Sequence, residues 1–306
     1  RRSSCVQRPV RTISSSAAYD VQPDKGRVRV TVKLTMVNHL KDTKTKRYYF
    51  DEAFLDVMPH SSGFKLTRDG SGDPSVKATK RTDTYTRLRL RFPRLYSGKT
   101  GRYTLTFDLN DPGGSPTRDI RVGDSLVSFP VWAFATDSTP GSTVRVVFPP
   151  GYEVEVEAGS IAAPTTDDEG RTVFETGRLS EPLDFFAYLV ADRPGAYRAE
   201  TITTTIGTDP ATVLVRSWPD DATWAERVGG LLTSALPRLG ERIGLPWRHE
   251  EPLVVQETVS RSTEGYAGLF DPSEGLVEIA YYADDFVVLH EAAHGWFNGA
   301  LLADRW

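Results

Sequence analysis

The sequence predicts two parts. Residues 17–207 read as a β-rich N-terminal domain, a saddle or sandwich of antiparallel strands, and residues 208–306 as an α+β segment. Three observations carry this. Short segments through the first two hundred positions alternate polar and apolar residues. Clusters of Gly, Pro, Asp and Ser separate them at short spacing. Near Asp209 the apolar period changes from two residues to that of a helix.

Taken in order, residues 1–16 (RRSSCVQRPVRTISSS) are polar and basic and read as a disordered tail. Arg27–Leu34, Thr86–Phe92 and Arg102–Leu109 alternate strictly, as half-buried strands do. The arginines of Thr86–Phe92 belong to the solvent face of an antiparallel strand, with a basic ligand-binding face as the alternative. Further strands are predicted at Leu126–Phe134, Thr143–Phe148, Tyr152–Glu157, Phe185–Ala191 and Tyr197–Ile206. Pro130 marks the first of these as an edge strand or an interrupted one. Lys41–Lys46 and Arg68–Arg81 read as polar loops. Ala211–Trp218 is an apolar strand, and Pro219-Asp220-Asp221 then opens a helix carrying Trp224, Val228, Leu231, Leu232, Ala235 and Leu239 at helical spacing. Pro237 is expected to end or kink it. Leu253–Thr258, Tyr266–Phe270 and Leu276–Tyr282 are strands before a final helix.

Composition narrows the function classes. The chain has 306 residues, 39% hydrophobic and 25% charged, with a formal net charge of −4. That balance argues against nucleic acid or an anionic membrane as the main partner. No run of eighteen apolar residues is present, so no membrane-spanning segment is predicted. The single Cys5 leaves no internal disulfide framework. The chain begins at Arg1 without Met, which suits a segment of something longer, after loss of a signal or membrane anchor.

The most informative stretch is FVVLHEAAHGWF, with His290-Glu291-Ala292-Ala293-His294 at its centre. Histidines at i and i+4 share one helix face, where both imidazoles reach one Zn²⁺ at about 2.0–2.1 Å. Glu291 sits roughly 100° round the helix from His290, where a general base for a metal-bound water belongs. Asp284 or Asp285 can cap the helix. Phe286, Val288, Leu289, Ala292, Ala293, Trp296, Phe297 and Ala300 surround the polar residues, so the helix reads as a core helix. Gly295 lies one turn after Glu291 and leaves room above the carboxylate. The alternative is a pair of core histidines satisfied by backbone or carboxylate groups.

The run HEAAHGWFNGALLADRW resembles the zinc helix of the gluzincin metallopeptidases, in particular the M1 (aminopeptidase N-like) family, through His294-Gly295-Trp296-Phe297-Asn298-Gly299. The resemblance implies zinc-dependent hydrolysis of a peptide or protein substrate, with His290 and His294 as metal ligands and Glu291 as general base. It implies a β-saddle domain followed by the first half of a thermolysin-like catalytic domain, and it favours an exported, extracytoplasmic location. The family's third ligand, a Glu on a second helix, and its catalytic Tyr are expected beyond Trp306. Asp304, the one carboxylate after His294, would lie about 15 Å along the helix on another face. The chain is therefore expected to bind zinc weakly and to be inactive by itself.

One departure matters for specificity. M1 aminopeptidases carry a Gly-x-Met-Glu-Asn strand that holds the substrate's free amino terminus. The matching region here is Ser262-Thr263-Glu264-Gly265-Tyr266-Ala267-Gly268-Leu269-Phe270, without the Met-Glu-Asn core. Gly265, Tyr266, Ala267 and Gly268 are the candidate substrate-binding residues, through backbone pairing with an extended peptide. Glu264 reads as a solvated loop carboxylate. A binding or scaffold protein that keeps a peptidase fold without turnover is the competing function.

Overall fold

The computed structural model describes residues 10–116, 118–136, 139–247, 251–261 and 263–297. Residues 1–9 of the expected tail, Ser262, and Asn298 to Trp306 with Ala300 and Asp304 lie outside the described residues. The chain forms two compact units. The first comprises Arg1–Pro112, Ile120–Val122 and Val127–Leu189, and the second Gly113–Asp119, Gly123–Leu126 and Val190–Trp306.

The strands run, in chain order, β1 (Arg11–Gln22), β2 (Arg27–Asn38), β3 (Tyr49–Val57), β4 (Ser61–Arg68), β5 (Ser75–Arg81), β6 (Thr86–Tyr96), β7 (Thr100–Asn110), β8 (Arg121–Val122), β9 (Leu126–Trp132), β10 (Thr143–Phe148), β11 (Glu153–Gly159), β12 (Thr165–Thr166), β13 (Thr172–Glu175) and β14 (Phe186–Asp192). They form a seven-stranded sheet of order β12-β13-β10-β1-β2-β7-β4, a four-stranded sheet β11-β14-β9-β8 and a three-stranded sheet β3-β6-β5. The first two sheets meet through Tyr19 and Phe148 against Phe129, with ring centroids 6.3 and 5.9 Å apart. The Tyr19 hydroxyl donates to the Trp132 carbonyl at 2.8 Å, and its burial raises the phenol pKa above the usual range.

Two expectations need correction here, and a third is decided between its alternatives. Residues 11–16 are not a tail but the start of β1. Ile13, Ser15 and Ala17 are buried in alternation while pairing with β2, so the strand's own period places them. Residues 75–81 are not a loop but β5, whose Val76 and Ala78 lie opposite Leu90 and Leu88 of β6. Small apolar residues between lysines hid that alternation. Pro130 does not break β9. It lies past the two residues that β8 pairs, Val127 and Ser128, where β9 is an edge on that side and a missing N–H costs little.

The second unit begins with β15 (Arg198–Ile206) and β16 (Asp209–Ser217), followed by α1 (Ala222–Ile243), β17 (Leu253–Thr258), β18 (Gly268–Asp271), β19 (Leu276–Ala280) and α2 (Asp285–Ala293). The strands form one mixed sheet of order β15-β16-β17-β19-β18. β16, β17 and β19 run parallel, and the outer strands are antiparallel to their neighbours. β15, expected with the N-terminal domain, therefore belongs to this sheet. Val213, Val215, Leu253, Val255, Val277 and Ile279 pack on Trp224, Val228, Leu232 and Leu236 of α1 and Val288 and Ala292 of α2. Asp221 caps α1 by accepting from the Trp224 N–H at 3.0 Å.

Pro237 does not end α1, which continues to Ile243. Burial of Leu236 and Gly240 on either side of it offsets the lost backbone hydrogen bond. Gly240 is a point of close approach. A β-carbon there would stand 2.2 Å from Ile206 Cγ2 and 3.5 Å from Trp296 Cζ2. On an exposed helix, Gly→Ala would stabilise by about 1 kcal/mol. Here overpacking outweighs propensity, and Gly240→Ala is expected to destabilise by about 1–3 kcal/mol in urea unfolding. A gain in stability would contradict this packing.

Candidate functional site

α2 starts where Asp284 Oδ1 accepts from the Val287 N–H at 3.0 Å, and Asp285 in the first turn pairs with Arg227 at 2.7 Å. Val288, Ala292 and Trp296 bury one face. The helix is not apolar and buried all round, as its composition suggested. Phe286 is 74% and Phe297 53% exposed, and His290 is exposed. Only one face meets the sheet and α1, so the 3.6-residue period leaves the other to solvent. Nor does Gly295 leave space for the carboxylate. A β-carbon there would stand 2.4 Å from the Trp247 ring, so the glycine admits that indole, which packs on Trp296 at 4.6 Å.

The helix register brings His290 and His294 together. Their ring centroids are 5.5 Å apart, with planes at 83°. Imidazoles sharing one zinc ion have centroids roughly 5–6 Å apart, given nitrogen–metal distances of about 2.0–2.1 Å, so the pair fits two positions of such a site. His294 Nδ1 lies 3.2 Å from the Phe297 carbonyl oxygen. A carbonyl only accepts, so Nδ1 carries the proton and Nε2 keeps the free lone pair. Nε2 is 3.9 Å from Glu291 Oε2. Among the described residues no three His, Cys, Asp or Glu side chains form a cluster that holds a metal ion.

Glu291 is 8% exposed and is held from the side of β18. A β-carbon on Gly268 would meet Glu291 Cγ at 2.5 Å, Val287 Cγ1 at 2.8 Å and Glu291 Oε1 at 3.0 Å, so only glycine lets the strand pass this close. Among the described residues β18 is an end strand, with no strand beyond it. Of the candidate substrate residues, Gly268 alone lies within it. Gly265, Tyr266 and Ala267 precede it, after a turn in which Thr263 Oγ1 donates to the Ser260 carbonyl at 3.0 Å. That turn delays the strand predicted from Tyr266. Glu264 sits in it with φ 54° and is exposed, and Tyr266 is 66% exposed.

Sequence reasoning missed Phe270. Its ring lies parallel to that of His294, 5.3 Å between centroids and 2° between planes. Phe286 tilts towards His290 at 6.2 Å. Alternation along β18 puts Phe270 on the same side as Gly268, but nothing in the sequence says that this side faces α2. The β18–β19 hairpin also gathers Asp271, Glu274 and Glu278. Burial first, then the charges of Asp271 and Glu274, push the Glu278 carboxyl above its usual range.

No family model matches the chain. A stretch of 107 residues, 34% of the chain, is 31% identical to the polyketide synthase GfsB of Streptomyces halstedii and spans 2% of it. Among solved structures, an M1 zinc metallopeptidase from Deinococcus radiodurans aligns over 95% of this chain at 18% identity with a TM-score of 0.33. A mutant of a two-domain M1 zinc metallopeptidase bound to L-arginine aligns over 94% at 18% identity with a TM-score of 0.32. The chain spans 65% of the length of each of these two structures.

Two outcomes follow from this geometry. Ring stacking of this kind is worth about 0.5–1.5 kcal/mol, so Phe270→Leu is expected to lower stability by about that amount in urea unfolding. An unchanged midpoint would show that the Phe270–His294 stack contributes nothing to the fold. Glu278 has the opposite sign from a stabilising carboxylate. Its folded pKa is raised, so its contribution to stability is full below the unfolded pKa and is lost as pH rises through the folded value. Glu278→Gln is expected to melt above the parent chain at pH 7, with the gap closing below about pH 4. A gap independent of pH would refute the repulsion.

Proposed function

We propose that this chain supplies two ligands and the general base of a zinc-dependent peptide-hydrolysing centre. One observation carries the reading: two imidazoles 5.5 Å apart on α2, with the buried Glu291 carboxylate 3.9 Å from one of them. His290 and His294 hold the ion, His294 through Nε2 because its Nδ1 is committed to the Phe297 carbonyl. The third ligand comes from outside the described residues.

Bound zinc supplies Lewis acidity to the scissile carbonyl and acidifies water. The remaining steps belong to the protein. Glu291 Oε2 receives the proton of the attacking water and then delivers it to the leaving amine nitrogen. The open edge of β18 pairs with the backbone of an extended peptide, so binding depends on main-chain groups more than on side chains. Close packing of Gly268 against Glu291 keeps that edge beside the base. Glu264, exposed in its turn, gives a substrate amino terminus no fixed anion, so aminopeptidase specificity is not part of the proposal.

The exposed His290 and the lack of a third ligand among the described residues favour a second reading, a peptide-binding module without turnover. Glu291→Gln separates the two in a protein carrying the completed ligand set. Hydrolysis requires that the variant keep its zinc, measured by elemental analysis, while losing cleavage at least a hundredfold. Full activity in the variant would dismiss Glu291 as base. Peptide binding with no chelator-sensitive cleavage by the parent would leave the binding module.

A further inference from the structure

The solvent face of the β3-β6-β5 sheet is built from three cross-strand rows: Glu52, Arg91 and Ser75; Phe54, Arg89 and Lys77; Asp56, Arg87 and Lys80. Two of the three acids of β3, Glu52 and Asp56, are engaged by β6. Asp56 receives two hydrogen bonds from Arg87, at 2.8 and 2.7 Å, and Glu52 pairs with Arg89. Lys77, Lys80 and Arg91 have no carboxylate within ion-pair distance among the described residues. Lys77 stands directly opposite Arg89, and Lys80 opposite Arg87, arginines whose charges Glu52 and Asp56 already offset, so Lys77, Lys80 and Arg91 are the cations left for a ligand. Beside them lies a groove of about 460 Å³ lined by Ser75, Lys77, Ala78, Thr79, Arg89 and Arg91. This concentration of cations stands out on a chain of net charge −4.

We infer that this groove binds an extended acidic peptide segment of a partner protein, with Glu or Asp at alternate positions. Two features select a peptide among anions. Among the described residues no strand pairs with the outer side of β5, so its backbone N–H and C=O groups there can take an added strand. The cations also repeat at strand spacing. Arg91 and Lys77 stand in adjacent cross-strand rows, two residues or about 6.8 Å apart along the strands, the interval between same-face carboxylates in an extended peptide. The guanidinium of Arg91 and the ammonium of Lys77 take the carboxylates, and the Ser75 hydroxyl takes a main-chain carbonyl, whereas the Thr79 hydroxyl is already donated to the Arg87 carbonyl at 3.2 Å. The bound carboxylates neutralise Lys77 and Arg91, the cations that Glu52 and Asp56 leave unpaired.

Fluorescence anisotropy of a labelled eight-residue peptide of alternating Glu and Thr, titrated with the full chain at low salt, tests this. Saturable binding is expected, weakening as salt is added. A block isomer, four Glu followed by four Thr, is expected to bind at least fivefold less tightly. The double variant Lys77→Gln, Arg91→Gln is expected to bind about tenfold more weakly. Both residues are exposed, and an unchanged circular dichroism spectrum and melting point would show the fold intact. Lys65→Gln, on β4, is the control and should bind like the parent. Absence of saturable binding overturns the inference. Equal binding of the two peptides, or tighter binding of heparin lost in the same variant, also overturns it in favour of a polyanion with no strand geometry.

Discussion

Burial of Val288 and Ala292 on one side of α2, and of Trp296 in the turn that follows it, fixes the rotation of that helix, and the candidate chemistry depends on it. At 3.6 residues per turn, anchoring these three leaves Glu291 at the border of the buried face and turns His290 and His294 outward together. The anchor has a partner on every side. Val288 and Ala292 join the core over the parallel strands, and Trp296 sits between Gly240 and Trp247 while its indole N–H donates to the Leu245 carbonyl at 3.2 Å. A rotation of one residue, about 100°, would bury a histidine and expose Trp296.

Glycine is used where this anchoring brings elements too close for a side chain. Gly240 lets Ile206 and Trp296 approach α1, Gly295 admits Trp247, and Gly268 lets β18 pass against Glu291. The cost is backbone freedom in the unfolded chain. The return is a carboxylate confined between helix and strand. The imidazoles are held differently. His294 has a carbonyl on Nδ1 and the Phe270 ring against its face, whereas His290 has the tilted Phe286 ring and the edge contact with His294.

What was legible in the sequence was local. The strands β2, β6 and β7 alternate openly, the Asp284 cap precedes its helix directly, and the spacing of His290 and His294 is the helix period itself. The failures share a cause. β5 and the start of β1 bury small or hydroxylated residues whose inward positions are decided by β6 and β2, not by their own hydropathy. Pro237 is tolerated because of packing from elsewhere. The full exposure of one side of α2 is invisible in a run where almost every residue is apolar. Phe270 acts on His294 across twenty-four positions of chain, and only the placement of β18 beside α2 connects them.

The two open sheet edges show how such placement separates function from protection. An unpaired strand invites association, and proteins guard it with lysines, prolines or shortness. β18 is four residues long and carries no lysine or proline, so brevity alone limits what can pair with it. A short edge beside a buried carboxylate holds only the few backbone groups around one peptide bond, which suits transient binding. β5 is seven residues long and relies on Lys77 and Lys80. Lysine guards an edge against neutral and basic strands, but it selects for acidic ones, so the same side chains that keep β5 from pairing with copies of itself define the one kind of strand it accepts.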